Sequence, residues 1–339
     1  MLGPLQDFLT LNLVASSAGL LLGIFILWYS SNLVILKIAP IARFFGVKEL
    51  VITILGVSVL SSLPELTISL FAAGEGQADI SLGNVIGSNF VTLTFVTALC
   101  ALISPIDVHT EIKERESSWM VLSTMVIFLL AIDGNLTRID GIVLILLYVP
   151  YFWTVVREAQ KEAAVHKKNA GKTERDERIV LHFLLGILAI FGIIYGAKIA
   201  LVSGEHLGRS IGLSAAVLGI LIFALGTSLP ELAIALTATI RGKSDITIGE
   251  IYASNIFTAL FVLGTCAVVR PLKLFADPAI PSVLVKYDIP FLILAGVIIQ
   301  IFVTTGSILK RGEALIILLL YFYFVLIHFF PSILPFSVQ

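Results

Sequence analysis

Two glutamates stand in the same pentapeptide, Ser-Leu-Pro-Glu-Leu, at residues 62–66 and again at 228–232. Glu65 and Glu231 each fall near the middle of an apolar run, 50–74 and 214–240. A carboxylate at the centre of a membrane helix costs at least ~2.5–3.5 kcal/mol on insertion scales and is a functional candidate by default. The proline before each lacks an N–H and clashes with the carbonyl four residues back. Pro64 and Pro230 therefore predict interrupted helices with free carbonyls around Leu60–Ser61 and Gly226–Thr227. Hydroxyls flank the breaks: Ser58, Ser61 and Ser62 at one, Thr227 and Ser228 at the other. Each motif thus offers carboxylate, hydroxyl and carbonyl oxygens, with no nitrogen or sulfur. Such sets suit hard cations; Ca²⁺ takes about six to eight oxygens, and two carboxylates neutralise one divalent ion. The competing explanation pairs each glutamate with a buried base. Lys198 is the only basic residue well inside a span, and it sits near enough to one end to snorkel.

The two motifs belong to a longer repeat. At the same offset of 166 residues, Asp79-Ile80 matches Asp245-Ile246, Gly83 matches Gly249, Ser88-Asn89 matches Ser254-Asn255, and Thr92 matches Thr258. Gly46 and Gly212, Gly76 and Gly242, and Cys100 and Cys266 hold the same register. One register kept over so many positions marks a duplication. Ser88 and Thr92, four apart, share a helix face, as do Ser254 and Thr258. Hydroxyls there are otherwise structural glue between membrane helices, and their duplication places them with the site. Gly83 and Gly87 are spaced for close helix contact.

The elements that must hold these groups follow from composition. The chain has 339 residues, 58% hydrophobic and 13% charged. Soluble proteins average about 45–50% apolar and 25% charged residues, so a large soluble enzyme is excluded. A net charge of −1 leaves no footprint for nucleic acid. Two cysteines make neither a disulfide framework nor a zinc site. A membrane helix needs ~20 mostly apolar residues, and ten candidates are present. Seven are charge-free runs, at 8–36, 80–106, 117–132, 141–156, 251–269, 289–309 and 314–339. Three carry one internal charge, at 50–74, 179–203 and 214–240. The first is too long for a signal-peptide core and lacks a basic flank, so it is expected to be retained.

The expected fold is therefore an all-α integral membrane protein of ten transmembrane helices. A first transmembrane repeat spans 1–156 and a second 179–339, joined by a short mixed-charge linker at 157–178. Five helices per repeat is an odd number, so the second enters the membrane inverted, an arrangement whose substrate sites lie near the midplane. With both termini outside and the 157–178 loop cytoplasmic, 16 of the 22 Lys and Arg fall in inner loops, as the positive-inside rule requires. Inversion puts Cys100 and Cys266 near opposite faces, where they act as small apolar fillers. The expected setting is the cell membrane of a prokaryotic type of cell, with the lipid bilayer and transported cations as partners and no obligatory protein partner.

Gly-Thr-Ser-Leu-Pro-Glu at 226–231, its variant at 60–65, and Gly-Asn-Val-Ile-Gly-Ser-Asn at 83–89 resemble the two α-repeats of the cation/calcium antiporter superfamily, in its sodium/calcium exchanger-like branch. The resemblance covers essentially the whole chain. It implies that Glu65 and Glu231 bind Ca²⁺ together with the carbonyls of Ser61 and Thr227. It implies flanking Na⁺ sites lined by Ser58, Ser62, Ala224, Ser228, Ser88 and Ser254, and sliding of helices one and six across the core. Three departures stand out. Ser61 replaces the usual Thr, and Thr92 and Thr258 stand where the family commonly has Asn or Asp. The second Gly-Asn is Gly249-Glu250, with Ala253-Ser254 after it. Glu250 is one helical turn before Ser254; we expect it as a solvated charge at the inner mouth rather than as a third site carboxylate.

The function expected is secondary antiport of Ca²⁺ against Na⁺ by alternating access, with no organic cofactor. Bare glutamates cannot cross a low-dielectric barrier, so either Ca²⁺ or several monovalent ions must occupy them, and that competition couples the fluxes. The alternative is Ca²⁺/H⁺ exchange on the same pair, since burial favours the protonated acid. An enzyme is not expected: the five histidines (His109, His166, His182, His206, His328) lie at loops or helix ends, away from the glutamates.

Overall fold

A computed structural model describes residues 13–44, 57–108, 112–166, 179–242, 244–274, 282–306 and 308–329. The expected start of the second helix (50–56), Gly46 and much of the linker lie outside the described residues. In chain order the helices are α1 (Leu13–Phe44), α2 (Val57–Ser61), α3 (Leu63–Glu75), α4 (Ala78–Phe90), α5 (Thr97–Ile103), α6 (Ser117–Ala131), α7 (Arg138–His166) and α8 (Ile179–Ile211). There follow α9 (Ala215–Val217), α10 (Ala224–Thr227), α11 (Leu229–Ile240), α12 (Ser244–Ile256), α13 (Leu263–Val269), α14 (Ile289–Thr305) and α15 (Arg311–Phe329). Among the described residues, seven helical stretches are long and apolar enough to cross a membrane. The pair Ala215–Thr227 and Leu229–Ile240, bent by 44°, makes an eighth, and α6 is a shorter apolar helix. The protein is a multi-pass membrane protein. The fifth helix runs on to His166, so the first part of the charged stretch is helical rather than loop.

The duplication is visible in the elements themselves. α4 and α12 begin and end 166 residues apart, as do α5 and α13. Between them run π-helical turns at Val91–Val96 and Phe257–Val262, again in register. Gly76 and Gly242, after the helices that carry the glutamates, both turn with positive φ (85° and 72°). That left-handed conformation carries no Cβ penalty for glycine, which is why the residue recurs there. Two short antiparallel pairings then cross between halves. β1 (Ile106–Asp107) pairs β4 (Ile308–Leu309), and β2 (Asn135–Leu136) pairs β3 (Leu272–Lys273). The strand after the third helix of one half thus joins the loop between the last two helices of the other, reciprocally.

Packing puts α4 and α12 in the middle. Nearly every residue of α4 is buried, and about four-fifths of the windows Ala78–Ile103 and Thr247–Val269 is covered by protein, against 17% for α8. α1 packs along α8, and Gly23 lets it come close: a Cβ there stands 2.8 Å from the Ala200 Cα. The outward faces of that pair carry Leu21, Phe25, Leu184, Leu188 and Phe191, the apolar surface that lipid covers.

Each half also closes its last helix with a buried acid. Glu116 ends the π turn Ile112–Glu116 and accepts a 2.7 Å hydrogen bond from the Tyr151 hydroxyl on α7. Asp288 ends the π turn Leu284–Asp288 and stands 3.1 Å from His328 Nε2 on α15. Tyr151→Phe removes a donor from a buried carboxylate, a loss of about 1–3 kcal/mol. The variant is expected to unfold at lower temperature in detergent while keeping wild-type ion selectivity; a changed selectivity would tie this clasp to the site instead.

Candidate cation site

Both helices that carry the glutamates break where proline demands it. The helix stops at Ser61 and restarts at Leu63 with Pro64 in its first turn; the second half stops at Thr227 and restarts at Leu229 with Pro230. The hinge residues Ser62 and Ser228 adopt nearly the same backbone (φ −87°, ψ 10° and φ −80°, ψ 7°). Carbonyls loosened by the break take side-chain donors. Leu60 O accepts from Ser31 Oγ at 3.1 Å, and Ser58 O accepts from both Ser61 Oγ and Ser62 Oγ. In the second half Ala224 O keeps its helical bond from the Ser228 N–H at 3.1 Å and also accepts the Thr227 hydroxyl at 3.3 Å.

The two halves then hold each other's acid. Ser62 Oγ donates to Glu231 Oε1 at 3.1 Å, and Ser228 Oγ donates to Glu65 Oε1 at 3.4 Å. Both glutamates are 1% exposed, and in each the Oε2 has no hydrogen-bond partner. Among the described residues no Lys, Arg or His pairs with either, so the structural alternative of an internal base has nothing to stand on; Lys198 is half-buried on α8. Two clefts of about 350 and 330 Å³ open beside Gly76, Ala78 and Lys273, and neither is lined by a site glutamate.

The remaining expected ligands are all buried around these glutamates but divide by partner. Ser254 joins the centre directly, its Oγ 2.8 Å from Ser62 Oγ. Ser88 Oγ turns back to the Val85 carbonyl. Thr92 and Thr258 reach across to the other half. Thr92 Oγ1 donates to Asn255 Oδ1 at 2.6 Å, and Thr258 Oγ1 donates to Asn89 Oδ1. The amide of Asn89 reaches the Asn255 carbonyl at 3.1 Å, and that of Asn255 reaches the Asn89 carbonyl at 3.4 Å. This fourfold exchange joins residues at matching positions of the two halves. Their side chains tie α4 to α12; the repeated Ser-Asn dipeptide carried the signal, though only the serines drew attention as ligands.

One expectation is overturned. Glu250 is not a solvated charge at a mouth: it is 7% exposed, and Ser61 Oγ donates to its Oε1 at 3.4 Å. The reason is that α12 starts at Ser244, well before the charge-free run at 251, which carries position 250 a full turn into the protein. Its counterpart Asn84 accepts from Thr227 Oγ1 at 3.4 Å and donates to Ser69 Oγ at 2.9 Å and the Glu65 carbonyl at 3.4 Å. The cysteines are both buried and free, as small fillers should be.

Fold and site together define a multi-pass membrane protein whose two matched halves enclose a buried, acidic, oxygen-lined centre. The chain belongs to the sodium/calcium exchanger protein family, whose profile matches residues 15–157 and 181–330 and skips the linker between the halves. It is 30% identical over 264 residues to the inner membrane protein YrbG of Escherichia coli, covering 76% of this chain and 81% of that protein. It is 26% identical over 347 residues to the sodium/calcium exchanger MaX1 of Methanosarcina acetivorans, covering 92% and 97%. Among solved structures, the sodium-calcium exchanger NCX_Mj soaked with 10 mM Na⁺ and 10 mM Sr²⁺ superposes with a TM-score of 0.64 at 26% identity, over 93% of this chain and 99% of that one. The family is one of membrane exchangers, so the chain is a transporter of cations.

Proposed function

We propose that the protein exchanges Ca²⁺ for Na⁺ by alternating access at a midplane site built on Glu65 and Glu231. The observation that carries this reading is the reciprocal pair of buried glutamates, each held by a serine of the other half and each left with one unpartnered oxygen. Two such oxygens, with hydroxyls of Ser62, Ser228 and Ser254 and the carbonyls of Ser61 and Thr227 alongside, match the demands of a hard divalent ion. An ion-free centre would carry two uncompensated charges in a low-dielectric interior. Either Ca²⁺ or Na⁺ must therefore fill it before the barrier is crossed, and competition for the same oxygens couples the two fluxes. Ser58, Ala224 and Ser88 complete the flanking Na⁺ positions in this reading, and Thr92 and Thr258 steady them from behind. Relatives named as sodium/calcium exchangers support the choice of ions.

The architecture we assign is ten transmembrane helices in two inverted halves, with the termini outside and the 157–178 loop cytoplasmic. The seven long spans, the bent α9–α11 unit, α6 and the broken α2–α3 unit supply ten crossings. Ten alternating crossings put the loops after the third and ninth helices on one face and those after the fourth and eighth on the other. The β1–β4 and β2–β3 pairings need that parity. Sliding of the α1–α8 pair over the buried α4–α12 core is the movement that opens each side in turn.

The test is ⁴⁵Ca²⁺ uptake into proteoliposomes loaded with Na⁺ and diluted into Na⁺-free buffer. Uptake that rises with the outward Na⁺ gradient and collapses when external Na⁺ matches internal is expected. Uptake driven by a pH gradient with no Na⁺ requirement would assign the counter-ion to protons, and no uptake under either gradient refutes exchange altogether.

A further inference from the structure

The turn between α3 and α4 is held from two sides. The Gln77 N–H donates to the Ala72 carbonyl at 2.8 Å and the Gly76 N–H to the Ala73 carbonyl at 2.9 Å, the pattern that ends a helix on a left-handed glycine. From the end of α13, Arg270 Nη1 donates to the Gly74 carbonyl at 2.8 Å. The turn is thereby tied to the core as well as to its own helix. Gln77 stands on it, and its Nε2 donates to Glu205 Oε2 on α8 at 2.7 Å. Glu205 is oriented in turn by Arg209, one helical turn on, which donates to its Oε1. One carboxylate oxygen thus serves α8 and the other joins α8 to the core.

Elsewhere the same two helices meet through apolar side chains: Ile68 and Ala72 of α3 share a buried cluster with Ala197, Ala200 and Leu201 of α8. Apolar burial is non-directional, so such a face permits α8 to slide along α3. A hydrogen bond weakens steeply with angle and distance, so the Gln77–Glu205 bond must break when α8 moves. Both residues line the cleft of about 330 Å³, together with Asp79, Arg209 and Lys273, and the bond therefore joins two walls of one opening. At the matching positions of the repeat stand Lys243 for Gln77, Ala39 for Glu205 and Ser104 for Arg270. Alanine has no side-chain group to accept a hydrogen bond, so the restraint is one-sided. We propose that the Gln77–Glu205 bond is a latch that holds the outer side shut and tilts the protein toward facing inward. This rests on the exchanger reading above, with its orientation and its sliding α1–α8 pair, and it adds which side is favoured and the residues that set the balance.

Sided flux tests the latch. A ligand meets its site only in the fraction of molecules open to it, so its apparent dissociation constant varies inversely with that fraction. Na⁺-driven ⁴⁵Ca²⁺ uptake is measured in right-side-out and in inverted membrane vesicles from cells producing the protein, with vesicles from cells that lack it subtracted. In Gln77→Leu the half-saturating Ca²⁺ concentration is expected to fall about three- to tenfold at the outer face, without falling at the inner face. Glu205→Leu is expected to do the same, and the double variant to shift no further than Gln77→Leu, because two partners of one bond are not additive. An outer value unmoved in Gln77→Leu, a fall on both faces, or a double variant that shifts by the product of the single changes overturns the latch while wild-type uptake leaves the exchanger reading standing. Wild-type vesicles with no Na⁺-driven uptake from either face overturn the exchanger reading, and the latch with it.

Discussion

Replacing either Glu65 or Glu231 by glutamine is expected to abolish Na⁺-driven Ca²⁺ uptake while leaving a folded protein. The amide keeps the side chain's volume and still accepts the hydroxyl of Ser62 or Ser228 that the carboxylate accepts now. What disappears is one of two unit charges facing the ion. Removing one member of a buried charged arrangement costs about 3–5 kcal/mol, which is two to nearly four orders of magnitude in affinity at about 1.4 kcal/mol per decade. Without Ca²⁺ the substituted protein is expected to be at least as stable as wild type, because an uncompensated buried carboxylate has gone. With Ca²⁺ the order reverses: a ligand that binds only the folded state raises stability by mass action, and only wild type gains. Thermal unfolding in EGTA and in millimolar Ca²⁺, alongside flux, therefore separates loss of the site from loss of the fold. Because the halves bond each other reciprocally, the two substitutions should be nearly equal in effect. Wild-type exchange by either variant would refute the site.

Much of this centre is legible in the order of the amino acids alone. The offset of 166 residues aligns the breaks, both glutamates and the glycine turns, and proline chemistry alone predicts where the helices break. Those are local consequences of residue type. What the sequence hides lies in contacts between halves. The hydroxyls of Thr92 and Thr258 engage Asn255 and Asn89 of the other half, and no spacing along one helix foretells such a partner. Glu250 looks like a helix-end charge because hydropathy marks where charge-free sequence begins, not which turns a neighbouring repeat covers. The burial of α12 from Thr247 onward comes from its neighbour α11 and also from α2, α5 and α6 packed against it, the last three more than 100 residues away in sequence.

Gly87→Leu is expected to prevent folding, and Gly87→Ala to leave a destabilised protein with impaired exchange. α4 crosses the second half at the π turn Leu218–Phe223, and it does so almost backbone to backbone. A Cβ added at Gly87 would stand 2.7 Å from both the Ile220 Cα and the Ala224 Cβ, and it would also strike the Ile220 carbonyl. Those neighbours are main chain or a methyl on main chain, so none can swing aside, and the helices themselves must part. Forcing atoms into a well-packed interface costs about 1–3 kcal/mol for one or two methylenes and more when backbone must move. The displaced helix carries Ser88 next in sequence and Asn84 one turn earlier, whose carbonyl accepts from Thr227. Parting α4 from its neighbour therefore pulls on the second break, and the ion site loosens before the fold is lost. Gly74→Ala supplies the control: it lies in α3, the glutamate-bearing helix, with nothing within 4 Å of an added Cβ. Alanine there should gain the about 0.5–1 kcal/mol by which it exceeds glycine within a helix. Equal behaviour of the two alanine variants, in melting temperature and in Ca²⁺ flux, would show that the α4 crossing does not govern the site.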